Sequence, residues 1–328
     1  MTQFSSSSDL SSRIDAHLTS TSSPTSGTLS SGGTLPTVTS LTSYISSLGP
    51  KWYTKASEYW DDESNCAATV SGVLGGFESL DPPDVSSSLK FVAALASDHG
   101  LPLGRALDVG AGIGRVTKGV LLKRFDAVDL LEVSPRLVAA APEYIGEGAE
   151  RCRFFAVGME AFEPKAGGYA VVWIQWVIGH LTDVDLMKWL GKCADALVEG
   201  GCVVVKDNVT DTEAFWVDQD DSSVTRGRKY MEFLFEEAGM EVVCCWESEG
   251  FPNEIYPVPM WALRRRRQPS TDRQPSKARG CQPSKARDPP DTYRDSRGTL
   301  RSEANDGVLI DRTETQWKDS TFRIPEMD

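Results

Sequence analysis

Apolar residues in the middle of the chain follow two alternating patterns between about residues 90 and 263. Short continuous apolar runs are typical of buried strands, and apolar residues spaced three and four apart are typical of amphipathic helices. The strand pattern covers residues 105–109, 127–131, 152–157, 170–176 and 202–207, and residues 241–246 begin a last pair of strands. The helix pattern covers residues 91–99, 116–123, 135–144, 183–197 and 224–238. Alternating strands and helices predict an α/β fold with a doubly wound, mostly parallel sheet.

The two ends of the chain lack these patterns. Residues 1–48 are mainly Ser, Thr and Gly, and such a segment cannot bury enough apolar surface to offset its conformational entropy. After Leu263 come four arginines and then the sequence Q-P-S-K-A-R twice, at residues 274–279 and 282–287. We therefore predict a disordered head at 1–48, one compact domain at 49–263 and a flexible low-complexity tail at 264–328.

Most of the negative charge precedes the tail. The chain has a formal net charge of −13, and residues 264–328 carry 15 Lys and Arg against 11 Asp and Glu, which leaves −17 on residues 1–263. An acidic body repels phosphate backbones, which argues against nucleic acid as the main substrate. It attracts cationic partners such as a basic peptide, although a merely soluble acidic surface would have the same charge.

The cysteines indicate a reducing compartment rather than a metal site. Cys244 and Cys245 are adjacent, and the other five are scattered without metal-binding spacing. An odd number of cysteines favours free thiols, so we expect the protein in the cytoplasm and nucleus. Organelle targeting by the Ser-rich start is less favoured, because a single arginine and no lysine precede Lys51. No run of 18 apolar residues exists, so we expect no membrane span.

A glycine loop follows the first predicted strand. Residues 107–115 read L-D-V-G-A-G-I-G-R, and the glycines let the backbone approach a ligand closely. The spacing differs from the G-x-G-x-x-G of a dinucleotide site. Glu132 ends the second strand, where a carboxylate can accept hydrogen bonds from ribose hydroxyls. The D-x-G-x-G-x-G loop with this acidic residue resembles S-adenosylmethionine-dependent methyltransferases, and a simple packing turn is the alternative.

The strand at residues 170–176 ends in side chains suited to chemistry. Residues 173–181 read W-I-Q-W-V-I-G-H-L, which places Gln175, Trp176 and one of only three histidines, His180, at this end. In an open α/β sheet, ligands bind beyond the carboxyl ends of the strands, so this segment and the glycine loop should meet. We therefore predict an enzyme.

Six motifs taken together carry a more specific resemblance. They are W-I-Q-W-V-I-G-H-L at 173–181, K-D-N at 206–208, D-Q-D-D-S-S-V at 218–224, Y-W at 59–60, L-G-G at 74–76 and N-E-I-Y at 253–256. In these motifs the chain resembles the protein α-N-terminal methyltransferase family, over about residues 52–263. That family uses S-adenosylmethionine to mono-, di- or trimethylate the free α-amino group of proteins that begin X-Pro-Lys or X-Pro-Arg. The resemblance implies a seven-stranded class I, Rossmann-like fold with an N-terminal helical cap.

The resemblance implies catalytic roles for Asp221, His180 and Asn208. An α-amino group has a reference pKa near 8, so a base must remove a proton before the nitrogen can attack a methyl group. Asp221 and His180 are expected to perform or support this step, and Asn208 to orient the N-terminus. A buried structural histidine is the alternative for His180. A solvated acidic loop is the alternative for Asp221 and Asp218, and it is favoured more for Asp218.

A peptide channel is also implied by the resemblance. The expected substrate contacts are Tyr59, Trp60, Leu74, Trp176, Asp218, Ser223 and Tyr256. The aromatic faces would attract an ammonium group, and Leu74 would contact the substrate proline. Core packing is the alternative for Trp60, and Tyr256 is placed near the channel by resemblance alone. Gln219 stands where the family commonly has an acidic residue, which would loosen the preference for a basic residue in the substrate.

The cofactor implied by the resemblance is S-adenosylmethionine. Its expected contacts are Gly110, Arg115, Glu132, Ser134, Met159 and Gln175. Arg115 would pair with the methionyl carboxylate, a role suited to a guanidinium fork. Met159 and Glu160 stand where the family often has Leu-Gln beside the adenine, which leaves that contact open.

Two other functions remain compatible with this fold. A methyltransferase acting on a small amine would need a closed pocket and no acidic peptide groove. A non-catalytic adaptor would keep the fold without activity, but the intact glycine loop, Glu132, His180, Asn208 and Asp221 speak against it.

Overall fold

The computed structural model describes residues 6–252 and 255–266. Its helices are α1 (Ser7–Ser20), α2 (Val38–Leu48), α3 (Lys51–Asp61), α4 (Val70–Val73), α5 (Asp81–His99), α6 (Arg115–Gly119), α7 (Pro135–Ile145), α8 (Asp183–Ala196) and α9 (Arg228–Glu237). Its strands are β1 (Gly27–Leu29), β2 (Thr34–Leu35), β3 (Arg105–Val109), β4 (Ala127–Glu132), β5 (Cys152–Ala156), β6 (Tyr169–Gln175), β7 (Leu197–Lys206), β8 (Phe215–Asp218), β9 (Ser223–Arg226), β10 (Met240–Glu247) and β11 (Pro259–Arg265).

Seven strands of the described residues form the central sheet, in the order β10-β11-β7-β6-β3-β4-β5. The strands from β7 to β5 pair in parallel, and β11 is antiparallel to both of its neighbours. Every residue of β6 is buried. Val172 and Ile174 belong to one apolar cluster and Val171 and Trp173 to a second, so both faces of the sheet are covered. The predicted doubly wound α/β fold is confirmed.

One predicted helix begins too early. The pattern predicted a helix over residues 224–238, but Ser223–Arg226 forms β9, which pairs antiparallel with β8, and α9 begins at Arg228. Val224, Thr225 and Arg226 are all buried, whereas an amphipathic helix would expose its polar residues. The hairpin β8–β9 therefore holds the D-Q-D-D-S-S segment as a tight turn, the acidic turn (residues 218–223).

The head is folded, so the prediction of a disordered segment is wrong for its described residues, 6–48 (the head segment below). Leu10, Ile14 and Leu18 of α1 are at most 2% exposed and pack into the core. The many hydroxyl groups bond to backbone carbonyls within the same helix, as Thr19 does to Asp15 O at 2.8 Å. The composition of the segment concealed the regular four-residue spacing of its few leucines and isoleucines.

The head segment also contributes strands to a second, smaller sheet in the order β2-β1-β8-β9. β1 runs parallel to β8, with Gly27 opposite Phe215 and Leu29 opposite Val217. A Cβ on Gly27 would lie 2.2 Å from the carbonyl oxygen of Phe215, so the pairing requires glycine at this position. The head segment is thereby joined to the hairpin that carries the acidic turn.

Two absences hold for the residues the structure describes. No helix among them is long and apolar enough to cross a membrane. No group of three or more His, Cys, Asp or Glu side chains among the same residues could hold a metal ion. The predicted start of the flexible tail at residue 264 is wrong, because Arg264 and Arg265 belong to β11 and pair with β10. The rest of the predicted tail, from residue 267, lies outside the described residues.

Candidate active site

A cavity of about 320 Å³ lies at the carboxyl ends of β3, β4, β5 and β6, with α3 and α4 on its other side. Of the 16 residues predicted to act in catalysis or to contact cofactor or substrate, nine line it: Trp60, Leu74, Gly110, Arg115, Glu132, Met159, Gln175, Trp176 and His180. The glycine loop and the carboxyl end of β6 therefore meet at this cavity, as expected for ligand sites in open α/β sheets.

The glycine loop brings backbone close to the end of β6. Gly110 has φ +67°, and a Cβ there would lie 2.6 Å from the Val177 side chain, so neither its conformation nor its surroundings accept another residue. Gly110 N–H donates to Leu131 O at 2.8 Å, which ties the loop to β4. The loop therefore presents backbone rather than side chains to the cavity.

Glu132 closes the other side of this loop. Its two carboxylate oxygens accept hydrogen bonds from Gly112 N–H at 2.9 Å and from Ser134 N–H at 3.0 Å. Burial raises the pKa of Glu132, while these backbone donors oppose the rise. Glu132 faces the cavity, where a ribose hydroxyl could reach its remaining lone pairs.

Ser134 lies behind the cavity wall rather than in it. Its hydroxyl accepts from Leu137 N–H at 3.2 Å, which caps α7, and donates to Asp61 Oδ1 at 2.5 Å. Asp61 ends α3, so this contact joins the helix above the cavity to the loop after β4. Arg136 adds to the joint by donating to Asp61 O at 2.9 Å. Ser134 therefore positions the wall, and its predicted contact with the cofactor remains a prediction.

A buried ionic cluster supports Arg115 and Gln175, and the sequence reasoning missed its centre, Asp84. Arg115 Nη1 lies 2.9 Å from Asp81 Oδ1 and 2.7 Å from Asp84 Oδ2. Gln175 Nε2 donates to both oxygens of Asp84, and Lys206 Nζ lies 2.5 Å from Asp84 Oδ1. Burial alone would raise the pKa of Asp84, but the neighbouring cations outweigh it and hold the pKa below its usual value.

Asp84 is completely buried, and Arg115 is 5% exposed. Taking one partner from such a cluster would leave an uncompensated buried charge, so its members hold one another in place. The D-P-P-D sequence begins α5 ten residues before the helix predicted over residues 91–99, so the sequence analysis gave it no role. Only the fold brings it beneath Arg115.

His180 has both ring nitrogens engaged. Trp60 Nε1–H donates to His180 Nε2 at 3.0 Å, so Nε2 is the acceptor and the proton is assigned to Nδ1, which lies 3.2 Å from Ser222 O. Burial lowers the pKa of His180, because the imidazolium form is poorly solvated. The neutral histidine thus links the helix α3 to the acidic turn.

The acidic turn places two buried carboxyl groups beside this histidine. Asp221 is 4% exposed, and its Oδ1 has no hydrogen-bond partner among the described residues. Burial raises the pKa of Asp221 to about 7, and burial together with the Asp221 charge raises the pKa of Asp218. Ser222, between Asp221 and the buried Ser223, has φ +55°, a strained conformation for a residue with a Cβ. In this conformation of the turn Asp221 is buried, and one oxygen of its carboxylate is available to accept a hydrogen bond.

Trp176 is the second strained residue of the site. It has φ +52°, its indole N–H donates to Asn208 Oδ1 at 3.2 Å, and its ring lies 5.5 Å from Arg115 Cζ. Asn208 is buried at the end of the K-D-N motif after β7. A hydrogen bond between Trp176 and Asn208 therefore joins the ends of β6 and β7. Trp176 was predicted to contact the substrate, and Asn208 was predicted to act in catalysis.

Tyr59 lies near the acidic turn rather than in the cavity lining. Burial and the charges of Asp221 and Asp218 raise the pKa of Tyr59 to about 12. Tyr256 is buried outside the cavity lining, and its hydroxyl has no hydrogen-bond partner among the described residues. Tyr53, which the sequence did not single out, lines the cavity and donates to Asp185 Oδ2 at 2.6 Å.

The donor set fits S-adenosylmethionine. A glycine-loop backbone with no room for a Cβ at Gly110, a carboxylate at the end of β4 and a buried guanidinium on α6 surround the same cavity. In chemical kind, the carboxylate matches a ribose, the guanidinium matches a methionyl carboxylate, and the close backbone matches a tightly packed sulfonium-bearing chain. Met159 lines the cavity beyond β5, where the adenine contact was left open.

Comparisons with known proteins show to which family the chain belongs. A family model described as AdoMet dependent proline di-methyltransferase matches residues 49–264. Alpha N-terminal protein methyltransferase 1 of Caenorhabditis elegans is 42% identical over 217 residues, which cover 66% of this chain and 92% of the relative. N-terminal Xaa-Pro-Lys N-methyltransferase 1 of Mus musculus is 40% identical over 217 residues, 65% of this chain and 96% of the relative.

A solved structure extends the agreement to three dimensions. The S-adenosylmethionine-dependent methyltransferase from Leishmania major is 34% identical, with a TM-score of 0.67, and the match covers 74% of this chain and 96% of that chain. The chain therefore belongs to the family of AdoMet-dependent proline di-methyltransferases and is an S-adenosylmethionine-dependent methyltransferase.

Proposed function

We propose that this enzyme methylates the free α-amino group of proteins that begin X-Pro-Lys or X-Pro-Arg, giving mono-, di- or trimethylated products. The observation that carries the proposal is the buried Asp221 carboxylate, with one unused oxygen, in a strained turn against His180. The names of the relatives in Caenorhabditis elegans and Mus musculus support the same class of substrate.

Asp221 is the base in this proposal. S-Adenosylmethionine, when bound, supplies an electrophilic sulfonium methyl group. The protonated amine of the substrate must first give up a proton, and the pKa of Asp221 at about 7 lies close to that of an α-amino group near 8. The freed nitrogen lone pair would then bond to the methyl group as the bond from sulfur to that methyl breaks, with S-adenosylhomocysteine as the leaving group.

His180 supports this base rather than replacing it. Its Nε2 accepts the Trp60 indole N–H and its Nδ1 faces Ser222 O, so neither nitrogen is free to take the proton in this geometry. The ring instead holds the acidic turn at a fixed distance from α3. Asn208, beside Trp176, provides an amide that would orient the amine of the substrate.

The remaining groups suit a basic peptide. Leu74 is 1% exposed in the cavity wall, where an apolar side chain would meet the proline ring. Trp60 and Trp176 offer aromatic faces to a methylated ammonium group, which would be retained for a further transfer. Asp218 and Asp220 add negative charge for the downstream Lys or Arg. We also propose, on sequence grounds, that the enzyme acts in the cytoplasm and nucleus.

Mass spectrometry with two peptides tests the proposal. The enzyme and S-adenosylmethionine are incubated with a peptide that begins Ser-Pro-Lys and with the same peptide N-acetylated. Gains of about 14, 28 or 42 Da on the free peptide alone are expected, because acetylation removes the terminal amine as a nucleophile. Gain on both peptides would move the target to the lysine side chain. No gain on either peptide, with cofactor still bound, would overturn the proposal in favour of a small-amine methyltransferase or an adaptor.

A further inference from the structure

The hairpin that carries the acidic turn is hydrogen-bonded to the head segment. Ser30 N–H, directly after β1, donates to Val217 O at 2.9 Å, and Thr28 Oγ1 donates to Glu213 Oε2 at 2.8 Å ahead of β8. The head segment precedes residues 49–264, which the family model matches. The strand pairing therefore attaches to the predicted substrate loop a segment that lies outside the matched domain.

Gln219 is the centre of this attachment. Its backbone N–H donates to Ser30 Oγ at 3.0 Å, and its side-chain Oε1 accepts from Ser31 N–H at 3.2 Å. Its side-chain Nε2 donates to Tyr44 OH, on α2, at 2.9 Å. Its carbonyl oxygen accepts from Lys55 Nζ on α3. The side chain of Gln219 thus binds the head segment and does not line the cavity.

The contact between Gln219 and the head segment counteracts the electrostatic repulsion among the carboxylates of the acidic turn. Asp218, Asp220 and Asp221 are close in sequence, and the charges of Asp220 and Asp221 both act on Asp218. Like charges favour a more open turn, and Ser222 is held at positive φ within it. Hydrogen bonds from outside the turn can stabilise this closed arrangement before a peptide arrives.

We propose that the head segment positions the acidic turn for the peptide substrate, with Gln219 as the positioning residue. This inference rests on the proposed function. Preorganisation lowers the ordering cost on binding, so the contact raises affinity for the peptide and leaves cofactor affinity alone. The side chain of Gln219 is directed to Ser31 and Tyr44, and the expectation that its lack of charge loosens the preference for a basic substrate residue stays a prediction.

Four variants of the full chain test the inference. Gln219→Ala removes both side-chain bonds, and Tyr44→Phe removes one of them. Gln219→Glu keeps both, since a carboxylate can accept from Ser31 N–H and from the Tyr44 hydroxyl. Ser43→Ala is the matched control, because the Ser43 hydroxyl bonds only to Thr39 O within α2.

The measurements are KM and kcat for Ser-Pro-Lys and Ser-Pro-Gln peptides and Kd for S-adenosylmethionine. Gln219→Ala should raise KM for both peptides by about three- to tenfold, the range for one or two hydrogen bonds, with kcat and cofactor Kd nearly unchanged. Tyr44→Phe should have a smaller effect that does not add to that of Gln219→Ala. Ser43→Ala should resemble the parent enzyme. Gln219→Glu keeps both hydrogen bonds but adds a like charge to the turn, so it should raise KM less than Gln219→Ala does.

Two results would overturn the inference. Unchanged KM in Gln219→Ala would show that the head contact does not position the turn. A changed ratio of KM between the two peptides in Gln219→Ala, which alters no charge, would show direct contact with the substrate instead. If the parent enzyme methylates neither peptide, amide hydrogen exchange of residues 217–224 still tests the contact, since Gln219→Ala should lose protection there and Ser43→Ala should not.

Discussion

Asp221 combines burial, an unused carboxylate oxygen and a pKa of about 7. A carboxylate must be ionised to take a proton, so kcat/KM should rise as the pH rises through about 7. The ammonium group of the substrate itself loses its proton near pH 8. Asp221→Asn should lower kcat/KM by about 10²- to 10⁴-fold and leave cofactor affinity nearly unchanged. A pH–rate profile of both enzymes, with calorimetry for the cofactor, measures these effects.

The control for this prediction is Asp220→Asn, an exposed neighbour in the same turn. It should change kcat/KM far less, because its carboxylate is solvated. Loss of cofactor binding in Asp221→Asn would contradict the role of Asp221 as a base for the substrate amine.

Trp176 gives a prediction about strain. At φ +52° an alanine carries a Cβ penalty of about 1–2 kcal/mol that glycine avoids. Trp176→Gly should therefore be more stable than Trp176→Ala by about 0.5–1 kcal/mol, after the greater backbone freedom of unfolded glycine is subtracted. Urea unfolding of both variants measures the difference.

The order should be the reverse at Glu58, an exposed residue in α3, where alanine stabilises a helix by about 1 kcal/mol over glycine. Equal preference for alanine at both positions would show that Trp176 is not strained in solution.

At the scale of elements, Asp15 holds the head segment together. Its carboxylate accepts from Val38 N–H at 2.7 Å, Thr39 N–H at 3.1 Å and Thr39 Oγ1–H at 2.7 Å, so a residue of α1 caps α2. Asp15→Ala should lower the free energy of unfolding by about 1–2 kcal/mol, as for loss of a helix N-cap. Asp9→Ala, in the first turn of α1 and exposed, is the control. No loss of stability in Asp15→Ala would contradict a folded head segment.

The apolar pattern along the chain was sufficient to predict the bounds of some helices and strands but not of others. Residues 105–109, 127–131 and 135–144 were predicted within one residue of the observed β3, β4 and α7, because their period and caps are local. The start of α9 was not, because pairing with β8 makes a strand of residues 223–226. A hydrogen bond to a neighbouring strand outweighed the local preference there.

At the scale of the whole molecule, the net charge affects how strongly the peptide substrate binds. Residues 1–263 carry a net −17 before the basic tail, and a basic peptide should be attracted to this body. Raising the ionic strength shortens the Debye length from about 10 Å at 0.1 M, so KM for a Ser-Pro-Lys peptide should increase several-fold with salt. KM for a Ser-Pro-Gln peptide should increase less. Equal salt dependence for both peptides would contradict electrostatic attraction of the third residue.

The sequence by itself determined the sheet, the glycine loop and the family, because these depend on local period and on contiguous motifs. The tertiary structure alone decided the partners of the site. Asp84 meets Gln175 across 91 positions, Trp60 meets His180 across 120, and Gln219 meets Tyr44 across 175. Pairs so distant leave no local pattern, since packing of whole elements brings them together. The same packing folded a Ser-rich head whose composition predicted disorder.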